Sequence, residues 1–154
     1  MRRYARAIFL LALIIVVSLQ FVPVERTNPL PAGGPDVTPE LQWALRRACY
    51  DCHSNETRWP VWAYVAPVSW FVIRDVAVAR SVVNFSDWVT YEPGHRVALR
   101  SMVGPTTATH RMPLWHYLPL HPDSRLSESE LSALSAWSLG AVEEAHIPAL
   151  PKPR

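Results

Sequence analysis

Apolar positions are arranged in two ways along the chain: as one nearly unbroken block near the N-terminus and, further on, as single residues three and four apart. The block runs from Ala7 to Val24, interrupted only by Ser18, Gln20 and Pro23, and follows Arg2, Arg3 and Arg6. Its length is at the short end for crossing about 30 Å of hydrocarbon and exceeds the apolar region of most cleaved signal peptides. The flank Phe21-Val22-Pro23-Val24-Glu25-Arg26 has no small-x-small cleavage site, so residues 1–24 are expected to be an uncleaved signal-anchor forming a transmembrane helix. Three arginines before the block against Arg26 after it orient the chain with its N-terminus inside and everything beyond outside the inner membrane.

Residues 25–36 contain Pro29, Pro31, Pro35, Gly33 and Gly34, a composition that cannot keep regular structure and reads as a linker standing the domain off the bilayer. From residue 37 to 142 the spacing becomes helical and the expected fold is all-α, small and loop-rich. Thr38-Pro39-Glu40 is a helix start, with a capping oxygen, a proline where no N–H is needed and an acid at the positive dipole end. This helix is expected to reach about Cys52, with Leu41, Leu45, Ala48 and Cys52 on one face. Pro60 and Pro67 confine Val61 to Ala66 to a short turn. A second helix is expected from Val68 to about Val83, with Phe71, Val72, Val76 and Ala79 inward, and a third, short one from Pro93 to Val103. Gly104 to Pro122, punctuated by Pro105, Pro113, Pro119 and Pro122, reads as an irregular loop long enough to carry function. Ser127 and Glu130 form a capping box for the last helix, Leu131, Leu134 and Trp137 face inward, and Gly140 ends it. No sheet is expected, and residues 143–154 read as a tail.

Composition narrows the function classes. The 154 residues leave room for one compact domain and an appendage. With 49% apolar and 18% charged residues the chain is not disordered, and 15 prolines against 5 glycines fit short helices with stiff connections. The net charge of +2 rests on the first arginines: without Arg2, Arg3 and Arg6, 12 basic residues face 13 acidic ones, which leaves no basic surface for nucleic acid. Seven tryptophans ask for a large core or a planar cofactor.

Chemistry concentrates at Cys49-Tyr50-Asp51-Cys52-His53, a C-x-x-C-H run holding the only two cysteines. Two thiols three positions apart at a helix end reach the vinyl groups of one haem, and the adjacent histidine presents its imidazole to the iron. Such attachment takes place outside the cytoplasm, in agreement with export. Three other readings compete: a redox dithiol, which needs a βαβ context; a zinc site, whose further ligands would come from His110, His116 or His121 some sixty residues on; and two structural cysteines.

The runs Cys49 to Pro60, Ala66-Pro67-Val68-Ser69-Trp70 and Asn84-Phe85-Ser86-Asp87-Trp88 resemble the bacterial haem-binding domain family of small exported c-type cytochromes. Met112-Pro113, Tyr117, His121-Pro122, Leu126-Ser127 and Trp137 are similar to its C-terminal half, and the likeness spans about residues 28 to 140, led by Arg26-Thr27-Asn28-Pro29. The chain departs from the family at Ala79, where glycine is commoner, and at Leu114, where a second proline is common. The resemblance implies an N-terminal anchor and one covalent haem c. On the distal side, Met112 lies in the proline-rich loop, is stiffened by Pro113 and matches the family's Met-Pro position, which makes it the expected sixth ligand; His110 and His116 are the alternatives, or the position is open. Met102 reads as core, and His95, His121 and His146 as non-ligands. Trp59, Trp62, Trp70, Trp88 and Trp115 are candidates for the porphyrin wall or for ordinary core, and Arg58, Arg74 and Arg80 for propionate pairing or a solvated face.

These readings add up to an anchored periplasmic mono-haem cytochrome of the bacterial inner membrane, single-pass, that passes single electrons between redox partner proteins and is a carrier rather than a catalyst. The alternatives are a haem-based gas or redox sensor, a small peroxidase-like protein using His110 or His116, and a haem subunit bound to neighbours in a membrane complex.

Overall fold

The computed structural model describes residues 2–141; the expected tail, 143–154, lies outside the described residues. Six α-helices follow one another there: α1 (Arg2–Leu19), α2 (Pro39–Ala48), α3 (Tyr50–His53), α4 (Val68–Val82), α5 (Pro93–Ala108) and α6 (Glu128–Ser138), with short 3-10 turns at Val61–Tyr64, Trp88–Thr90 and Pro122–Ser124. The only β-pairing among the described residues is an isolated bridge between Gly33 and Asp87. The domain is therefore all-helical, as its periodicity indicates.

The expected transmembrane helix over the whole apolar block is corrected. No helix among the described residues is long and apolar enough to cross a membrane. The 18 residues of α1 include Arg2, Arg3 and Arg6, and the helix ends at Leu19, before Pro23. Its apolar part, residues 7–19, is only about 20 Å long at the α-helical rise, against about 30 Å of hydrocarbon.

Segment 25–36 is irregular, yet it lies along the domain. Asn28 Nδ2 donates to the Thr57 carbonyl at 2.9 Å. The amides of Ala32 and Gly33 both donate to the Ser86 carbonyl, at 2.9 and 2.8 Å. These bonds fasten the segment to the domain at Asn28 and at Ala32–Gly33.

The core is aromatic. Leu41 and Leu45 of α2, Tyr50, Phe85, Trp88, Leu99 of α5, and Leu134 and Trp137 of α6 form one buried cluster. Trp88 lies 5.6 Å from Trp137 and 5.9 Å from Phe85, which stacks on Tyr50 at 5.8 Å. Thr38 caps α2, its hydroxyl accepting from the Leu41 amide. Ser127 and Glu130 form the expected capping box, with Ser127 N donating to Glu130 Oε2 at 2.8 Å. Gly140, at φ +76°, follows α6 in the left-handed region that favours glycine.

Three local expectations are revised. The helix from Pro39 is broken at Cys49 (φ −122°, ψ −35°), so α3 is a separate turn. The third helix does not stop at Val103 but continues through Pro105 to Ala108. Two threonines bond back one turn along this stretch: Thr106 Oγ1 donates to Met102 O at 2.7 Å and Thr107 Oγ1 to Val103 O at 2.9 Å. Phe71, expected inward, faces solvent; the buried stripe of α4 is Ser69, Val76 and Ala79.

α5 and α6 make the most extensive helix pairing, and Gly104 permits it. A Cβ at Gly104 would collide with Ser138 Oγ and lie 3.1 Å from the Ser135 Cα, which is backbone and cannot swing aside. Gly104→Ala is expected to cost about 1–3 kcal/mol by overpacking. The measurement is urea unfolding, which should show a lower midpoint at unchanged slope; an unchanged midpoint would mean that the helices separate freely.

Candidate functional site

Three candidate residues share one place because they share the single turn that Cys49 opens at the end of α2. Cys49 closes α2, its amide donating to the Leu45 carbonyl at 2.8 Å, while the amides of Cys52 and His53 return to the Cys49 carbonyl at 3.1 and 2.8 Å. Both cysteines are free thiols and half-buried. Tyr50 points the other way, into the core against Phe85. The single turn thus sends one side chain inward as an anchor and leaves the thiols at the surface of the core.

His53 is positioned by α4. Its Nδ1 lies 3.1 Å from the carbonyls of both Ala79 and Val83, so Nδ1 carries the proton and donates, and Nε2 keeps its lone pair. Burial lowers the imidazole pKa, and the two carbonyls only partly restore it, so the ring is neutral at pH 7. The Phe85 amide donates to the His53 carbonyl at 2.7 Å and the Phe85 ring meets the imidazole edge-on, which fixes the backbone and the plane of the ring together.

The thiols are electrostatically unlike those of a redox dithiol. Burial pushes Cys49 up to about 12, helped by the neighbouring Cys52. Burial also raises Cys52 to about 11, with Asp51 and Asp75 adding negative potential and Arg80 opposing it. A reactive C-x-x-C pair has the opposite shift, because the thiolate is its nucleophile. Alkylation of the haem-free chain at pH 8 is accordingly expected to run at least about a hundredfold slower than that of an unfolded control. The folded state also keeps these protons longer than the unfolded chain. That contribution to stability is whole below about pH 9 and is lost as pH rises toward 11–12. Fast alkylation at pH 8 would restore the dithiol reading.

Asp51, inside the motif, organises the surroundings. Arg58 grips it with Nε at 3.1 Å, Nη2 at 3.0 Å and its own amide at 3.2 Å, and the Tyr117 hydroxyl donates to it at 2.9 Å. Burial would raise this carboxyl, but the donors together hold it below its ordinary value. Tyr117 stacks on His121 at 3.8 Å, and His116 Nε2 reaches Asp75 at 3.4 Å. These contacts bring the 114–121 loop onto the motif. Met112 is half-buried just upstream, its amide on the Thr106 carbonyl at 3.1 Å. His110 is exposed at φ +54°, and His116 is engaged with Asp75.

The three arginines, read as propionate partners or as a solvated face, divide in the structure. Arg80 spends its guanidinium on the chain itself: Nε donates to Ser54 O at 2.8 Å, Nη1 to Thr27 O at 2.8 Å, and Nη2 to Asn28 Oδ1 and Thr57 Oγ1 at 2.9 Å each. It straps the N-terminal segment to the end of the motif. Arg58 is committed to Asp51, and Arg74 is exposed. Of the tryptophans, Trp88 is core, Trp59 and Trp70 are half-buried, and Trp62 and Trp115 are exposed. The roles of Arg80 and Tyr117 had no local signal, since their partners lie 23 to 66 residues away in sequence.

Among the described residues no group of three or more His, Cys, Asp or Glu side chains converges to hold a metal ion directly. A family model described as a haem-binding domain matches residues 14–139. No curated protein and no solved structure matches the chain.

Proposed function

The chain belongs to the haem-binding domain family, and from that premise we propose that it is a c-type cytochrome holding one haem through Cys49, Cys52 and His53 and carrying single electrons. One observation supports this most: directly after two half-buried free thiols stands a neutral imidazole whose Nδ1 is tied to the Ala79 carbonyl of α4 and the Val83 carbonyl that follows it, leaving Nε2 as a pre-oriented donor. This donor set fits a haem. The thiols would form the thioethers, His53 would be the proximal ligand, and Met112, just before the loop fastened to Asp51, would be the distal one. Bound there, the haem supplies a one-electron iron couple. The chain's own residues position the imidazole, keep it neutral and shield one side of the site with Phe85.

The same reading takes the domain to be exported to the periplasm of a bacterial cell and held at the inner membrane by its N-terminal segment, with redox proteins as partners. The motif requires export chemistry, and the arginines and apolar residues of α1 are what a targeting segment needs.

Visible spectra of protein made with cytochrome c maturation factors test it. Low-spin spectra with a weak far-red sulfur-to-iron band, unchanged by carbon monoxide, are expected. A high-spin spectrum that shifts with carbon monoxide would overturn Met112 ligation and electron carriage in favour of a sensor or enzyme. Protein without haem would overturn the whole reading.

A further inference from the structure

α1 does not hang from the domain on free chain. Gln20 Nε2 donates to the Ala66 carbonyl at 3.2 Å and the Ala66 amide donates back to Gln20 Oε1 at 3.0 Å. Arg26 repeats the attachment six residues later, with Nη1 on the Ala63 carbonyl at 3.1 Å and its guanidinium 4.5 Å over the Tyr64 ring. Residues 19–24 and Arg26 line a cavity of about 230 Å³ together with Tyr64, Ala66 and Ser69, so the end of α1 and the turn before α4 form one joint.

Around this joint apolar side chains face outward. Phe21 is 82% exposed, Tyr64 57% and Phe71 64%, and Val22, Val65 and Val68 are also exposed. α1 buries none of its residues, so its apolar side chains lead into this collar without protein cover. Exposed apolar side chains gathered from the end of α1, the Val61–Tyr64 turn and the start of α4 mark an interaction site. α1 is not long and apolar enough to cross a bilayer, so the occupant is selected by what one leaflet can meet: the apolar residues of α1 and the aromatic collar, with Arg2, Arg3 and Arg6 reaching its headgroups. Cations suit anionic headgroups, apolar residues the acyl region, and aromatic rings the boundary between them.

We propose that the collar of Phe21, Val22, Tyr64, Val65, Val68 and Phe71 rests on an anionic lipid surface that takes up α1, holding the haem domain against the bilayer in one orientation. This rests on the membrane association proposed above and adds the face by which the domain lies down. Arg80 carries the fixed orientation inward, because it ties Thr27 and Asn28 to α4, whose carbonyls hold His53. The electron-transfer site would then sit at a set height above the membrane.

Amide hydrogen exchange on the full haem-loaded chain tests this, with and without vesicles of phosphatidylethanolamine and phosphatidylglycerol, alongside flotation of the same samples. The chain is expected to float, with exchange in 61–71 slowed severalfold and exchange in α5 unchanged. The double variant V68D/F71D, at two exposed positions, is expected to float while losing that slowing. Flotation with 61–71 exchanging at its solution rate would overturn the docking face and leave membrane association standing. Failure to float would overturn both. Slowing that grows with protein concentration in the absence of vesicles would give the face to a second copy and overturn the lipid proposal.

Discussion

Replacing Cys49 and Cys52 together with serine is expected to remove every trace of covalent haem while leaving the helical domain folded. Both thiols are free and half-buried, and serine is nearly isosteric, so the change asks little of the packing. The turn itself is built by backbone: the Cys49 amide on Leu45 and the Cys52 and His53 amides on Cys49 survive the substitution. Denaturing electrophoresis with haem staining reads the result, and circular dichroism of the same sample reads the fold. Loss of helicity along with haem would mean that the thiols are structural. His53→Ala is the complementary variant. It removes the proximal donor and two Nδ1 bonds, so the haem-free chain should lose about 1–3 kcal/mol and any low-spin spectrum should disappear. A low-spin spectrum surviving in His53→Ala would move the proximal role elsewhere.

That variant pair addresses the part of the site legible in the sequence, and its legibility has a physical cause. A covalent attachment motif places its reactive atoms by local helical geometry, so five consecutive residues carry the information. Capping is equally local, and both Thr38 and Ser127 cap where their sequence contexts indicate. Hidden was whatever depends on distant partners. The helix breaks at Cys49 as Tyr50 turns to stack on Phe85, 35 residues on in sequence. Arg80 looked like a free cation on a helix face, and becomes a strap only when Thr27, Asn28, Ser54 and Thr57 converge on it.

The apolar block shows the opposite failure. Hydropathy alone joined residues 7–24 into one span, but helix formation is a backbone matter: α1 ends at Leu19, and Gln20 leaves the helical run to bond Ala66. Gln20, one of the polar interruptions of the apolar block, is the joint. The same reasoning applies to Phe71. Its helical register differs by one position from the buried stripe of Ser69, Val76 and Ala79, which faces the elements packed on α4, α3 and the turn at Val61–Tyr64.

The largest expected loss of stability is at Trp137. Its ring is 0% exposed and lies 5.6 Å from Trp88, itself 1% exposed, where α6 meets the helices that carry the motif. Trp137→Ala removes the ring from a site walled by Trp88 and Leu134, and the cavity cannot close without moving α6, so the cost should be about 3–5 kcal/mol. Against a total of about 5–15 kcal/mol for a domain of this kind, that leaves a marginal fold. Trp137→Phe separates ring burial from hydrogen bonding. The indole nitrogen is buried without a hydrogen-bond partner among the described residues, so phenylalanine forfeits no bond and should cost less than half as much. Urea unfolding of the haem-free chain measures both, and equal destabilisation by alanine and phenylalanine would show that the N–H, and not the ring, holds α6 in place. The consequence for the site follows from the packing: Trp137 supports Trp88, Trp88 supports Phe85, and Phe85 bears on both Tyr50 and His53. A cavity at Trp137 should therefore also loosen the imidazole, and amide exchange at Phe85, whose N–H holds the His53 carbonyl, should quicken in Trp137→Ala before the domain unfolds as a whole.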